Sequence, residues 1–487
     1  MASRFNGGYV LKKEKTTVKI LFCASEGAPF SGTGGLGEVI GSLPSALARK
    51  RKYEVSVVLP LYSQVSEELR KKMKFVKYFY VRLAWRNQYC GVFTMKKEGV
   101  TYYFIDNEFY FRRDGLYGFY DDGERYAYFC KAIMQLMSEI EYYPDIVHCN
   151  DWQTALVPIY NYYEFHYSFK SIFTIHNIAY QGKFGLEVMG DLFGLPPEAG
   201  DALEYDGCIN LLKGAIETSY IANTVSETYA LELQSPEFSY GLDEIIKKNS
   251  FKMRGILNGI NYSAYNPEKD EMIQSTFSAE NLEGKALCKE HLQEISGLDK
   301  DPDAPIIALV SRLVDMKGVE LIRQCIGGVL DNRVQLVVLG TGDKYYEDFF
   351  KWLAWKYPGK VAAHIRFDTK LSHEIYAGAD MFAMPSMSEP CGLSQMIACR
   401  YGTVPIVRET GGLKDTIKDC STGDGNGFTF ATKDQADLYD AIMRALALYK
   451  KKRQWNALKK YIMGLDFSWK KSANEYSKLY DEVMTMF

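Results

Sequence analysis

The fold is decided by residues 379–413, ADMFAMPSMSEPCGLSQMIACRYGTVPIVRETGGL. An apolar run of strand length, Met381 to Met384, is followed by Glu389-Pro390-Cys391-Gly392 and then by a helix-like apolar run. A second strand-like run, Val404 to Val407, ends in Glu409-Thr410-Gly411-Gly412-Leu413. The pattern predicts two strands whose carboxyl ends open onto helix N-termini in a doubly wound α/β sheet. Because backbone N–H groups at such ends attract anions, we predict a site for a polyhydroxylated, anionic ligand.

Three further strand-like runs precede this stretch and belong to the same half of the chain. They are Pro305 to Val310, Val334 to Leu339 and Ala362 to Phe367. The first run leads to Arg312 and Lys317, two cations that leave a strand end toward the helix-start loops and are placed to meet a diphosphate. The second run ends in another open turn, which begins at Gly340. Surface charge is the usual role of such cations, but their position at the sheet edge favours a phosphate site.

The first half of the chain has a glycine-rich turn of its own. A strand over Val18 to Ser25 is followed by a loop and then by Gly32-Thr33-Gly34-Gly35-Leu36-Gly37, which opens a helix. This turn matches G-x-G-x-x-G, the dinucleotide fingerprint, so an oxidoreductase is one alternative. The glycines follow a long loop, however, and the next strand, Glu54 to Leu59, ends without an acid for a ribose. We therefore favour an anion-binding helix N-terminus over a nicotinamide site.

Polar side chains also follow three buried runs in the first half. Asp151, His176 and Ser226 each come directly after such a run, and the carboxyl ends of parallel strands line one crevice. Residues 75–106 alternate in β fashion and predict a hairpin or meander. Aromatic residues crowd the segment 102–129, in which Tyr117 fits either loop packing or a lip on which a sugar ring stacks.

Patterns in the middle and at the end of the chain complete the organisation. Leu257 to Asn261 has the pattern of another strand end, and the polar stretch from Tyr265 to about Glu283 is interpreted as the linker between two domains. Near the C-terminus, apolar residues at helical spacing predict a last helix with one apolar face, without showing which domain it covers. Together the patterns predict two α/β domains that face each other across a cleft, with a diphosphate-bearing ligand between them.

Length, composition and charge indicate an ordinary globular protein of two domains. The chain has 487 residues, and its formal net charge of −3 gives no reason to expect nucleic acid or an anionic membrane as a partner. Ten cysteines without a C-x-x-C pair predict reduced side chains in a cytoplasmic protein. Residues 1–19 have no apolar core typical of a secretory signal, and no apolar window is long enough to span a membrane. Scattered histidines, and an Asp301-Pro302-Asp303 motif that precedes a strand, predict no metal site, and we expect no cofactor.

Nine sequence blocks resemble the bacterial and plant glycogen and starch synthases, which are retaining glucosyltransferases. In the order of that family they are TGGLGEVIGSLP, DIVHCNDWQTALVP, TIHNIAYQG, TVSETYA with SPEFSYGL, ILNGIN, SRLVDMKG, LGTGD, SEPCGLSQMIACRYGTVPIVRETGGLKDT and DFSW. The resemblance implies the GT-B fold, an α/β architecture in which two Rossmann-like domains face each other across a cleft and a C-terminal helix returns to the N-terminal domain. We expect an N-terminal, acceptor-side domain at residues 1–255, a C-terminal, sugar-nucleotide domain at residues 256–465, and the returning helix at residues 466–487.

The resemblance also implies an activity, which is the transfer of glucose from a sugar nucleotide, ADP-glucose or UDP-glucose, to the non-reducing end of an α-1,4-glucan with retention of configuration. The expected catalytic residues are His176, Arg312, Lys317, Glu389 and Asp151. The residues expected around the donor, from the resemblance or from the open turns, are Thr33, Gly34, Gly35, Asn258, Gly340, Cys391, Gly392, Leu393, Thr410, Gly411 and Gly412. Those expected on the acceptor and glucose side are Glu26, Tyr117 and Gln153.

The resemblance further assigns roles to the catalytic residues. Arg312 and Lys317 would neutralise the donor diphosphate, and Glu389 would hold the glucose hydroxyls. His176 would lie beside the anomeric carbon, and Asp151 would line the glucose and acceptor side.

The chain departs from the family pattern at several positions. Gly32 stands where the family has a lysine that reaches the donor, and Gln153 stands where many members have histidine. Met387-Ser388 replaces an Arg-Phe pair, and Ile397 occupies the place of an acid that some relatives carry. The missing lysine leaves the choice between ADP-glucose and UDP-glucose open, although ADP-glucose is favoured. Together with Gln153 it also leaves a second alternative, a catalytically impaired glucan-binding protein.

Overall fold

The computed structural model describes residues 17–486, so the interpretation of residues 1–19 falls mostly outside the described residues. The strands are β1 (Val18–Cys23), β2 (Tyr53–Pro60), β3 (Lys74–Leu83), β4 (Arg86–Lys97), β5 (Val100–Asp106), β6 (Ile146–Asn150), β7 (Lys170–Ile175), β8 (Lys183–Phe184), β9 (Glu204–Tyr205), β10 (Cys208–Asn210), β11 (Ile221–Thr224), β12 (Met253–Gly255), β13 (Ile306–Val310), β14 (Gln335–Leu339), β15 (Val361–His364), β16 (Met381–Met384), β17 (Val404–Arg408) and β18 (Phe428–Phe430). The helices are α1 (Gly35–Ala48), α2 (Glu67–Arg70), α3 (Glu108–Phe111), α4 (Asp122–Glu139), α5 (Leu156–Tyr163), α6 (Val188–Asp191), α7 (Gly200–Leu203), α8 (Leu211–Thr218), α9 (Glu227–Glu232), α10 (Pro236–Ser239), α11 (Asp243–Lys248), α12 (Glu283–Ile295), α13 (Val319–Leu330), α14 (Lys344–Lys356), α15 (Thr369–Gly378), α16 (Ser394–Arg400), α17 (Gly411–Thr416), α18 (Gln435–Tyr449), α19 (Lys452–Met463) and α20 (Trp469–Thr485).

The first sheet has nine strands in the order β12-β11-β7-β6-β1-β2-β5-β4-β3. Its seven strands from β12 to β5 are parallel, whereas β4 is antiparallel to β5 and β3 is antiparallel to β4. This arrangement confirms the hairpin or meander predicted for residues 75–106. Apolar cores cover both faces of the parallel part, as continuous apolar runs favour. The polar residues that follow β1, β6, β7 and β11 therefore lie at one edge of the sheet.

The second sheet has six parallel strands in the order β15-β14-β13-β16-β17-β18. The strands predicted from apolar runs are present, although the run expected to reach Phe367 ends at His364. Strand β18 was not predicted, because its three residues are too few to show a periodic pattern. Since β13, β16 and β17 are neighbours, the segments that contain Arg312, Glu389 and Thr410 leave adjacent strand ends.

The last helix, α20, returns to the first sheet. Its apolar residues belong to the same core as the residues of β1, β2 and α1. Two tyrosine hydroxyls also bind polar side chains of that sheet: Tyr480 lies 2.9 Å from His148 Nδ1, and Tyr476 accepts from Asn223 Nδ2 at 3.1 Å. The chain therefore has the two-sheet architecture with a returning helix that the resemblance implied.

One strand end was predicted in the wrong place. The pattern of Leu257 to Asn261 predicts a strand end there. In the structure, β12 ends at Gly255 and the residues that follow form a loop. The loop runs beside the chain entering α20, where the N–H of Ile260 donates to the carbonyl of Phe467 at 2.8 Å. This pairing takes the place of a longer strand in the first sheet.

Candidate active site

The ends of β13 and β16 bring a lysine into contact with a glutamate. Lys317 Nζ donates to Glu389 Oε2 at 2.6 Å, and Ser386 Oγ donates to the same oxygen at 2.9 Å. Glu389 is only 7% exposed, so its charge is balanced by the lysine rather than by water. The close approach depends on Gly318, whose φ is +69° and where a β-carbon would lie 1.9 Å from the carbonyl oxygen of Pro385.

Arg312 lies at the same site but is exposed. It lines a cavity of about 130 Å³ together with Lys317, Glu389, Gly392 and Leu393. The helix that starts beside this cavity, α16, has no side-chain cap on its first turn. Two cations and uncapped helix N–H groups favour an anionic group here.

A larger cavity of about 910 Å³ lies between the two sheets and shares Arg312 and Leu393 with the smaller one. The first half of the chain contributes the loop residues 28–35, which include Thr33, Gly34 and Gly35. The second half contributes the turn at Gly340 as well as the start of α16. A cavity of this size between two α/β units, at the carboxyl ends of their strands, is typical of a ligand site.

The glycine-rich loop is held by a buried carboxylate. Glu26 is 2% exposed, and its Oε2 accepts from the N–H of Thr33 at 2.9 Å and from the hydroxyl of Thr33 at 2.8 Å. Its Oε1 accepts from the N–H of Gly37 at 3.0 Å. Backbone amides are good donors to a carboxylate, and here both oxygens of Glu26 bind the glycine-rich turn. Glu26 therefore shapes the loop, and its expected place on the acceptor and glucose side stays a prediction.

Asp151 and His176 meet at the carboxyl ends of β6 and β7. Asp151 Oδ1 accepts from the N–H of His176 at 2.7 Å, and His176 Nε2 lies 2.9 Å from Asn150 Oδ1. Burial raises the pKa of Asp151 to about 7 and lowers the pKa of His176 to about 3. The imidazole is therefore neutral at neutral pH, and its oxygen partner favours the tautomer with the proton on Nε2.

Tyr117 and Gln153, which were assigned to the acceptor side, lie at the same edge of the first sheet. The hydroxyl of Tyr117 is 2.8 Å from Ser25 Oγ, beyond the end of β1. Gln153 is buried, and its Oε1 has no hydrogen-bond partner among residues 17–486. Neither residue lines the 910 Å³ cavity. The structure thus groups them with Asp151 rather than with the cations of the second half.

The loop after β17, in which Thr410, Gly411 and Gly412 were predicted to bind the donor phosphates, does not line the larger cavity. Thr410 Oγ1 and the N–H of Gly411 donate to Glu232 Oε1 at 2.8 and 3.0 Å. The N–H of Gly412 donates to the carbonyl oxygen of Glu389 at 3.1 Å. The groups that were expected to bind phosphate are therefore already bound to protein oxygens.

Asn258 and Cys391 are buried away from the larger cavity. Asn258 lines a separate cavity of about 600 Å³ where the chain passes between the two halves, and its place near the donor glucose stays a prediction. Cys391 is 6% exposed, and burial raises the pKa of its thiol to about 12, which keeps it protonated.

The larger cavity also contains side chains that the sequence analysis did not single out. They include Glu38, Tyr265, Arg366, Tyr376 and Ser394. Ser394 begins α16, so the helix-start pattern that marked Leu393 could have marked it too. Tyr265 falls in a segment interpreted as a linker, and Tyr376 lies within a helix of ordinary pattern, so no sequence signal distinguished them.

Comparison with known proteins identifies the relatives of this chain. Residues 19–248 match a family described as the starch synthase catalytic domain, and residues 292–460 match glycosyl transferases group 1. The glycogen synthases of Clostridium beijerinckii and Clostridium perfringens are 46% and 47% identical to it over 476 residues, which cover 96% of this chain and 99% and 98% of those proteins. The chain belongs to the glycogen and starch synthase family.

Solved structures agree with this membership. The catalytic domain of starch synthase IV from Arabidopsis thaliana, bound to ADP and acarbose, has a TM-score of 0.89 and 34% identity, covering 97% of this chain and 100% of that one. Sucrose-phosphate synthase from Thermosynechococcus elongatus has a TM-score of 0.60 and 17% identity over 96% of this chain and 99% of that one, and it shows the fold alone. Together they confirm the GT-B fold expected from the sequence.

Family membership establishes the class of reaction. The chain is a retaining glucosyltransferase of the glycogen and starch synthase type, which transfers glucose from a sugar nucleotide to an α-1,4-glucan. An oxidoreductase does not fit this membership, and similarity to glycogen synthases along nearly the whole chain supports an active enzyme over an impaired glucan-binding protein. Within residues 17–486, none of the helices is long and apolar enough to cross a bilayer.

Proposed function

We propose that the donor is ADP-glucose and that Arg312 and Lys317 bind its diphosphate beside the first turn of α16. The observation that carries this proposal is the contact of Lys317 with Glu389 at the mouth of the cavity that Arg312 lines. The related starch synthase IV structure contains ADP, which supports an adenine nucleotide. Gly32 removes the family lysine from the opposite wall, so these two cations would balance the diphosphate charge.

Glu389 is placed to orient the transferred glucose. Both of its side-chain hydrogen bonds, from Lys317 and Ser386, use Oε2. Its Oε1 is therefore available to accept from glucose hydroxyls, while the ion pair holds the carboxylate in one orientation. Gly392 and Leu393 would complete this wall of the glucose pocket.

The bond changes follow a front-face route in this proposal. The bond between C1 of glucose and the diphosphate oxygen breaks, the 4-hydroxyl of the glucan attacks C1 from the same face, and the leaving phosphate accepts the hydroxyl proton. Arg312 and Lys317 would meet the charge that develops on the phosphate. Glu389 is paired with Lys317, and Asp151 Oδ1 accepts from the N–H of His176, so both carboxylates are already held by protein donors, which favours this route over a covalent glucosyl intermediate. The neutral His176 would lie beside the positively charged sugar.

The glucan would approach from the edge of the first sheet. Tyr117 offers a half-buried ring for stacking against a glucose unit. Gln153 lies in the same segment as Asp151, and its Oε1 is buried without a partner among residues 17–486. A buried acceptor without a partner is costly, so a bound water would satisfy this oxygen.

A parallel initial-rate assay tests the donor. ADP-glucose and UDP-glucose are each supplied with glycogen, and release of the nucleoside diphosphate is measured. We expect the higher kcat/KM with ADP-glucose, and we expect Gly32→Lys to lower the KM for the donor because it restores a cation to the cavity. An equal or higher kcat/KM with UDP-glucose would show the donor assignment to be wrong. Absence of release from both donors would overturn the proposed function itself.

A further inference from the structure

A short helix of the first half, α9, contacts the loop that carries Glu389. At its start, Ser226 Oγ donates to the carbonyl oxygen of Pro390 at 2.6 Å. At its end, Glu232 Oε1 accepts from Thr410 and Gly411 at the start of α17. Both ends of α9 therefore bind the second half beside the catalytic carboxylate.

The segment bound by Glu232 in turn binds the backbone of Glu389. The N–H of Gly411 points to Glu232, and the next N–H, that of Gly412, points to the carbonyl oxygen of Glu389 at 3.1 Å. Gly411 has a φ of +44°, and a β-carbon there would lie 2.0 Å from that same carbonyl oxygen. No residue larger than glycine fits at position 411, between the side chain of Glu232 and the backbone of Glu389. A displacement of Glu232 would therefore also displace the backbone of Glu389.

A second carboxylate contact joins the same two helices without touching this loop. Asp415 of α17 accepts from the N–H of Thr228 at 2.9 Å and also from its hydroxyl. Glu232 and Asp415 thus each bind one N–H and one threonine hydroxyl across the same interface. Of these two contacts, only that of Glu232 involves a segment that also binds the backbone of Glu389. The variant Asp415→Ala is therefore a matched control.

We propose that Glu232 is a positioning residue for glucosyl transfer, which fixes the backbone of Glu389 through Thr410, Gly411 and Gly412 and so directs its carboxylate at the donor glucose. This inference rests on the proposed role of Glu389. It means that the first half of the chain sets the orientation of a catalytic group carried by the second half. The glucose pocket therefore reaches its working geometry only when α9 and α17 are in contact.

The test compares Glu232→Ala with Glu232→Gln and Asp415→Ala in steady-state assays with ADP-glucose and glycogen. Glu232→Ala is expected to lower kcat by about 10- to 100-fold, because a displacement of about 1 Å at a reacting group has that order of effect. The donor KM is expected to change by less than about threefold, since Arg312 and Lys317 still bind the diphosphate. Glu232→Gln keeps an oxygen acceptor and should recover most of kcat. Asp415→Ala should stay within about twofold of the wild type.

Several outcomes separate positioning from simple packing. If Glu232→Ala lowers the Tm but keeps kcat at temperatures well below it, Glu232 is only structural and the inference is wrong. The same holds if Asp415→Ala loses as much kcat as Glu232→Ala. Should Glu232→Ala fail to fold, Glu232→Asp replaces it, because a shorter carboxylate reaches the two donors poorly and should show an intermediate loss of kcat.

A further variant distinguishes failure of this inference from failure of the proposed function. If Glu389→Ala keeps the wild-type kcat, the proposed role of Glu389 is wrong and Glu232 has nothing to position. If Glu389→Ala is inactive while Glu232→Ala is normal, only the positioning inference fails. Loss of kcat in both variants, with the donor KM nearly unchanged in Glu232→Ala, is the result expected here.

Discussion

At the scale of single residues, the two cations of the site have different surroundings. Lys317 is mostly buried against Glu389, with side-chain exposures of 21% and 9%, whereas Arg312 is exposed. Loss of Lys317 would leave a desolvated carboxylate without a counter-charge and would cost stability as well as activity. Loss of Arg312 removes a charge that faces the ligand, so Arg312 is the cleaner probe of diphosphate binding.

We predict that Arg312→Ala lowers kcat by about 10²- to 10³-fold, equivalent to about 3–4 kcal/mol, because the developing charge on the leaving diphosphate loses one partner. The Tm should remain that of the wild type, since no group within residues 17–486 forms a hydrogen bond or ion pair with this side chain. Arg333→Ala is the matched control, because Arg333 is an exposed arginine of the same half that pairs with Asp301 outside the site. Near-normal turnover in Arg312→Ala would contradict the assignment.

The sequence predicts which site residues follow strand ends without showing what they contact. Apolar runs predicted that Arg312, Lys317 and Glu389 follow strand ends, and neighbouring parallel strands bring these ends together. For Thr410, a helix-start pattern shows that N–H groups are available but not what occupies them. The occupant, Glu232, lies 178 residues earlier in the sequence, and no local signal connects the two.

At the scale of secondary structure, apolar runs predicted the long strands, and the two- and three-residue strands other than β12 were not predicted. Strand β12 was placed a few residues too late, because its end is set by the pairing of Ile260 with Phe467 in the chain leading to α20. Periodicity predicted that α20 has one apolar face. Periodicity did not show which sheet this apolar face covers. The family resemblance implied that the helix returns to the N-terminal domain.

The docking of α20 should depend on pH through His148. This side chain is 1% exposed, lies between Tyr480 and Thr174, and has its pKa lowered to about 3 by burial. An unfolded histidine titrates near pH 6.5, so the unfolded state binds more protons between pH 6.5 and 3 and stability falls as the pH falls through that window. From pH 7 to pH 5 this group should remove about 2 kcal/mol from the free energy of unfolding.

Denaturant unfolding of the wild type and His148→Asn at both pH values measures this effect. Asparagine cannot take up the proton, so the variant should be less stable at pH 7 yet lose about 2 kcal/mol less than the wild type on going to pH 5. Equal losses in the two proteins would show that His148 is not the group responsible.

At the scale of the whole molecule, neither half of the chain contains a complete site. The first half supplies the glycine-rich loop shaped by Glu26, and the second supplies Arg312, Lys317 and Glu389. The 910 Å³ cavity lies where they face each other. Sequence patterns predicted two α/β domains that face each other across a cleft, because both halves carry open turns suited to the same anionic ligand. The family resemblance added the GT-B fold and the returning helix.

A crystal structure of the protein with ADP tests the central claim most directly, because it shows where the diphosphate binds. We predict that ADP occupies the 910 Å³ cavity, with phosphate oxygens within about 3 Å of the Arg312 guanidinium and the Lys317 ammonium. ADP bound in the separate cavity beside Asn258, or with its phosphates remote from both cations, would contradict the account.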